Sequence, residues 1–239
     1  MFSNKSAIIS GGSKLENLYS LQFDGTDDYV TCGDDGSLDL TTSLTMSVWF
    51  YAEGFQGETA VSGLCCKLGG SPANGYGFVT RDNSPVEERP HFFIAKAGAF
   101  KRVDHDVDIT ANKWYHMAAT YDNTTMKLYI NGNLVDSSAQ SGACGSTATD
   151  FEIGRMASSN GNAYEGLVDE LSVFITELTA AQIRAVYNHG IPTDLSEMSG
   201  LVGYWRFEEG SGTSIDDKSG NGNTGTLTNG VAWSAVAPV

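Results

Sequence analysis

The feature that most limits what this chain can become is a succession of short apolar runs, each cut off by Asn, Gly, Asp or Pro. "SLTMSVWFYAEG", "ANGYGFVTRDNS", "HFFIAKAG", "KWYHMAATYDN", "MKLYINGNLVDSS" and "DFEIGRM" follow one another at intervals of roughly ten to twenty residues. In the first, Leu44, Met46, Val48 and Phe50 share one face, and Ser43, Thr45, Ser47 and Trp49 the other. "YINGNLV" carries its own turn: Asn131 and Gly132 both tolerate positive φ, which predicts a two-residue hairpin joining "MKLYI" to "NLVDSS". Antiparallel strands in a meander or jelly roll satisfy this pattern.

The length of 239 residues is enough for one large β-domain that buries roughly three-quarters of the unfolded chain's surface. Such a core needs no covalent staples. The four cysteines, Cys32, Cys65, Cys66 and Cys144, show no metal-binding spacing, and adjacent Cys65 and Cys66 point to opposite faces of a strand. They read as buried or free thiols. A formal net charge of −15 repels phosphate backbones and anionic membranes, so nucleic acid is a poor partner. No apolar run approaches a membrane span, and the first thirty residues contain no secretory leader.

One segment is helical. In "LTAAQIRAVYNHG", Thr179 can cap and Gln182 can close a capping box, with Ile183, Val186 and Tyr187 as the apolar stripe and Gly190 as the stop. So short a helix is expected to plug an edge of a sandwich. Residues 1–20 read as an N-terminal arm or edge strand, and residues 21–239 as a single sandwich.

Five stretches in order, "LQFDGTDDYVTCG", "SLTMSVWFYAEG", "KWYHMAATYDNTTMKLYINGNLV", "FEIGRM" and "GLVDELSVFITELTAAQIRAVYNHG", resemble the laminin G-like jelly-roll family of the concanavalin A-like lectin/glucanase superfamily. The resemblance implies an all-β fold of two antiparallel sheets packed face to face, with a helix after the "DEL" strand. In that family the opening strand often reads like "GLVGYWRFEEGSGT", which here starts at Gly200. Trp205 and Phe207 fall on one face of it and Tyr204 and Arg206 on the other. Leaving two such aromatics in water costs roughly 1.5–3 kcal/mol each. Residues 200–239 are therefore expected to close the sandwich, as in a permuted chain.

The sequence offers little catalytic chemistry. A glucanase on this scaffold needs paired carboxylates on one side of a sugar, and the related Glu-x-Asp-x-x-Glu pattern is absent. In "VDEL", strand alternation sets Asp169 and Glu170 on opposite faces. The four histidines, His91, His105, His116 and His189, have no recognisable serine or cysteine partner. The chain reads as a non-enzyme.

By resemblance, a structural Ca²⁺ is expected on Asp24, Asp169 and Glu208, with Glu170 and Glu209 as second choices. Ligand-binding chemistry falls to two loops, with Arg81, Asp82 and Asn83 in one and Arg155, Asn160, Asn162 and Tyr164 in the other. The wording of "FDGTDDYVTCG" and "YNHGIPTDLS" also resembles laminin G-type proteins of marine bacteria and their phages. The leading expectation is a structural, decoration or attachment protein on a virion surface, partnered by itself or by other proteins of the assembly. The alternative is a lectin-like module for extracellular glycans.

Overall fold

A computed structural model describes residues 15–53, 61–84, 87–105, 109–156 and 163–239, without the side chains of 81–84 and 87–88. In chain order the strands begin with β1 (Ser20–Asp24), β2 (Tyr29–Thr31), β3 (Leu44–Ala52), β4 (Val61–Gly69) and β5 (Asn74–Ser84). They continue with β6 (Glu87–Lys96), β7 (Ala99–Asp104), β8 (Trp114–Tyr121), β9 (Thr125–Ile130) and β10 (Asn133–Ala139). After β11 (Phe151–Ile153) and β12 (Glu165–Phe174) comes the helix α1 (Ala180–Tyr187). The last strands are β13 (Leu201–Trp205), β14 (Ser214–Ile215), β15 (Gly225–Thr228) and β16 (Ala232–Ser234).

The strands form two antiparallel sheets. The first runs β10-β9-β8-β3-β12-β1-β16, with β13 also on β12; the second runs β14-β15-β2-β11-β4-β5-β6-β7. This is the jelly-roll sandwich expected from the spacing of the apolar runs. Leu44, Met46, Val48 and Phe50 all enter the layer between the sheets. The hairpin forms as read, with Asn131 at φ 49° and Gly132 at φ 73° linking Ile130 to Asn133. Cys65 faces the core and Cys66 the opposite side, and all four cysteines are buried with no disulfide between them.

The C-terminal strands complete both sheets. One long edge of β12 is shared end to end: β1 pairs with Glu165–Val168, and β13 with Leu171–Phe174. Strands β14 and β15 extend the second sheet, and β16 returns to β1 in the first. Trp205 and Phe207 are fully buried in the central layer, and the Trp205 ring stacks on Phe151 at 5.4 Å. The Trp205 indole N–H donates to the Asn223 carbonyl at 2.7 Å, so the ring adds apolar burial without stranding its polar atom.

The helix sits elsewhere than expected. Thr179 and Gln182 form the full capping box, but α1 ends at Asn188 in a left-handed conformation, two residues before Gly190. It lies on the outer face of the first sheet rather than plugging an edge. Ile183, Val186, Leu178 and Leu195 bury against Ala118, Tyr129, Phe174 and Tyr204. That face carries enough apolar surface to need a cover, and the helical stripe supplies one. Among the described residues no helix is long and apolar enough to cross a membrane.

Candidate functional site

The two sheets turn very different faces outward. Beneath α1, the first sheet gathers groups that resemble an active site. His116 Nε2 lies 2.8 Å from Ser47 Oγ, and the His116 ring packs against Trp49 and Tyr187 at 5.2 and 5.6 Å. The alternation on β3 exposed Ser47 to this face, but only the β3–β8 register brings it near His116, which is why the sequence did not show the pair. Burial pushes the His116 ring down to about 3, so it is neutral at ordinary pH. Both side chains are covered completely, and no substrate reaches them.

Asp169 and Glu170 also belong here, and they correct the alternation argument. A bulge in β12 between Asp169 and Ser172, with Glu170 at φ 48°, inserts an extra residue. Both carboxyls therefore work on the outer side. Glu170 accepts from the Tyr204 hydroxyl and from Arg206 Nε, the latter at 3.1 Å. Asp169 accepts from Asn17 Nδ2 at 2.9 Å, and Glu208 accepts from the Leu18 amide at 3.0 Å. Asn17 also donates to the Pro238 carbonyl. Burial raises Glu170 to about 7 against the pull of Tyr204 and Arg206. It raises Asp169 too, helped by the neighbouring Glu170 charge. The cluster ties residues 16–18 and 238 to the point where β12 changes neighbours from β1 to β13.

Of the acids expected to hold calcium, Asp169 and Glu208 lie near each other, and Asp24 lies apart from them. Asp24 stands opposite Glu165 in the β1–β12 register, four residues of strand, or about 13 Å, from Asp169. It accepts from the Thr26 amide at 2.8 Å and so closes its own turn. Arg206 already supplies the positive charge beside Glu170. Glu209 accepts from the Asp216 amide. Among the described residues no three His, Cys, Asp or Glu side chains are arranged to hold a metal. Six to eight oxygen ligands are what calcium would need.

Among the described residues the outer face of the second sheet is only partly covered: Cys66, Leu68, Val79, Phe93 and Ala95 are buried there, while Phe100 and Arg102 stand half exposed. A hollow of about 170 Å³ is lined by Val61, Val79, His91, Phe93, Phe100, Arg102 and Met156. Its floor follows from strand alternation: Phe92 and Ile94 enter the core, so Phe93 and His91 face outward. Phe93 meets Phe100 of β7 with ring centroids 5.6 Å apart. One rim is polar, with Asp104 held 2.9 Å from His91 Nδ1 and 3.5 Å from Arg102 Nε. Phe100 and Arg102 are about half exposed, at 51% and 55%.

Gly63 shapes the other rim. A Cβ there would fall 2.2 Å from the Arg155 carbonyl carbon and the Met156 nitrogen, so only glycine lets that segment cross β4. The crossing brings Met156 to the hollow and Arg155 close beside it. Arg155 is held flat by two bonds to Glu152, at 2.7 and 2.8 Å, and lies over the Tyr29 ring at 3.2 Å.

The described ends of both segments chosen from sequence border this hollow. Arg81 stands opposite Val61 in the β4–β5 register. Arg155 and Ala163 form an isolated antiparallel bridge, and residues 157–162 lie outside the described residues. The side chains of Arg81, Asp82 and Asn83 lie outside the described residues, as do Asn160 and Asn162. Tyr164 is instead buried among the core residues, 1% exposed. Phe93, Phe100, Arg102 and Met156 were missed. Their strand alternation was visible, but which outer face stays uncovered was not.

Fold and face together define a jelly-roll sandwich with α1 on one outer face and, among the described residues, a solvent-facing hollow on the other. Residues 24–184 match the laminin G family model of the concanavalin A-like lectin/glucanases superfamily, and the chain belongs to that family. It is 35% identical over 105 residues to mouse (Mus musculus) pappalysin-1, covering 41% of this chain and 6% of that protein. A putative carbohydrate-binding protein from Bacteroides ovatus superposes with a TM-score of 0.65 at 20% identity. That match covers 94% of this chain and 62% of the other. The Ruminococcus gnavus sialidase module CBM40, bound to α2,3-sialyllactose, gives 0.56 at 14% identity, over 72% of this chain and all of that module.

Proposed function

We propose that this chain is a non-catalytic glycan-binding module whose ligand lies across the open face of the second sheet. The observation that carries the reading is the hollow itself. An apolar floor with a half-exposed aromatic ring meets a rim of hydrogen-bonding groups, the combination that sugar rings require. At about 170 Å³ it is smaller than the ~300–1,000 Å³ of drug-sized sites, so it suits one sugar unit of a longer chain resting on the surface. The carbohydrate-binding names among the structural neighbours support this use over the virion-surface reading.

The Ser47–His116 pair is buried beneath α1, away from this face, which supports a binding role without turnover. A glycan array tests the proposal. The intact chain is expected to retain a defined set of glycans, and Phe100→Ala is expected to lose them while melting at an unchanged temperature. Absence of any retained glycan, or retention indifferent to Phe100, contradicts it.

A further inference from the structure

Among the described residues, β10 and β16 end one sheet and β14 and β7 the other. Three of these are poor templates for a further strand. β14 has two residues, β16 has three, and β10 is broken by a bulge between Leu134 and Asp136. β7 differs, because its six residues pair with β6 without a register shift. The His105 amide donates toward β6, to the Pro90 carbonyl at 3.1 Å, whereas the Asp104 amide turns away and donates to Asp136 Oδ2 at 3.1 Å. Antiparallel alternation then turns the N–H and C=O of Phe100 and Arg102 away from β6 as well. Ala99, Phe100 and Arg102 are exposed, so this stretch of edge faces solvent. Beside it runs a slot of about 320 Å³, lined by Ile94, Lys96, Ala99 and Lys101 of the β6–β7 hairpin and by residues 141–143. We infer that β7 takes up an extended peptide of another protein as a further strand, with its backbone on Phe100 and Arg102 and alternate side chains in the slot.

The groups on offer select the occupant. Outward N–H and C=O groups at a strand's spacing are matched by another extended backbone, whose side chains alternate between the two faces. The alanines at 95, 97, 99 and 143 give the slot a smooth apolar wall that accepts a short aliphatic side chain. A second copy of this chain fits poorly. An edge of about 20 Å falls far short of the ~1,200 Å² that holds two folded partners together. Two molecules of net charge −15 repel each other. Antiparallel pairing of Phe100 with Arg102 of a second copy would also set the two Lys101 side chains directly opposite each other. The site is distinct from the glycan hollow, since it uses the backbone of Phe100 rather than its ring.

Selection of a displayed random heptapeptide library on the intact chain tests the inference. Enriched peptides are expected to carry aliphatic residues at alternate positions. As synthetic peptides, they are expected to slow amide exchange at Phe100 and Arg102 about tenfold or more. N-methylation of the alternate peptide amides that face β7 is expected to abolish binding. Ala99→Trp, which fills the slot from an exposed position, is expected to weaken binding roughly tenfold at an unchanged melting temperature and to leave glycan retention intact. Phe100→Ala is expected to lose glycans and keep the peptide.

Failure to enrich any peptide overturns the inference, as does binding that leaves exchange at Phe100 and Arg102 unchanged or survives N-methylation. Protection of those two amides in a dimer without peptide gives the edge to a second copy and overturns it as well. None of these results touches the glycan reading, which falls only with the array.

Discussion

The outer faces of the two sheets invert a common intuition about where function sits. The first carries serine, histidine, tyrosine and paired acids, yet α1 and residues 188–198 cover it. The second carries valine, phenylalanine, methionine, arginine and the His91–Asp104 pair, and its hollow opens to solvent. Reactive residue types under a helix are there to satisfy one another: Ser47 with His116, and Glu170 with Tyr204 and Arg206. Among the described residues, the hollow beside the half-exposed Phe100 and Arg102 is the place a ligand can use.

The comparison can be broken most severely through the layer both faces share. Trp205→Ala removes a fully buried ring and its bond to Asn223, and is expected to cost about 3–5 kcal/mol in urea unfolding. A cost below about 1 kcal/mol would mean that β13 does not complete the interior. On the covered face, Ser47→Ala leaves the His116 ring without its hydroxyl partner. Its expected cost is about 1–3 kcal/mol, with glycan retention unchanged. Lost retention in a folded Ser47→Ala protein would merge the two faces into one site.

A pH series sharpens the contrast further. Glu170 titrates at about 7 when folded against an ordinary 4.5, because burial outweighs Arg206 and Tyr204. Between those values the folded protein holds a proton that the unfolded chain has released. Its contribution to stability is therefore full below about pH 4.5 and is lost as pH rises through about 7. His116 acts in the opposite sense, since its folded value of about 3 lies below the ordinary 6.5. Comparison with Glu170→Gln isolates the carboxyl from that opposing effect. The melting temperature of the natural chain relative to the variant is expected to fall between about pH 5 and pH 8; a constant difference would place Glu170 in water. The smallest effect is expected from chelation, with EDTA leaving the melt unmoved, and a clear drop would return calcium to the acid cluster.

Much of this was legible in the residues. Alternation at Leu44–Phe50, the Asn131–Gly132 turn, the Thr179 cap and the burial of Trp205 and Phe207 are local or nearly local properties, and each appears in the structure. What failed depended on register and on cover. The bulge at Glu170 put two acids on one side, because a single inserted residue reverses alternation. Tyr164 looked like a loop aromatic and lies in the core, while Asp24 proved to be a turn residue far along the strand from Asp169. The hollow was invisible because the sequence does not say which sheet α1 covers.

Selective blocking of each face tests the central claim most directly. The four natural cysteines are buried, so a bulky maleimide will label an introduced thiol first. Arg102→Cys and Arg184→Cys place that label on the open sheet and on the helix, respectively. With the label attached, the first is expected to lose glycan retention and the second to keep it. Retention surviving the label at position 102 and vanishing with the label at position 184 would contradict the account.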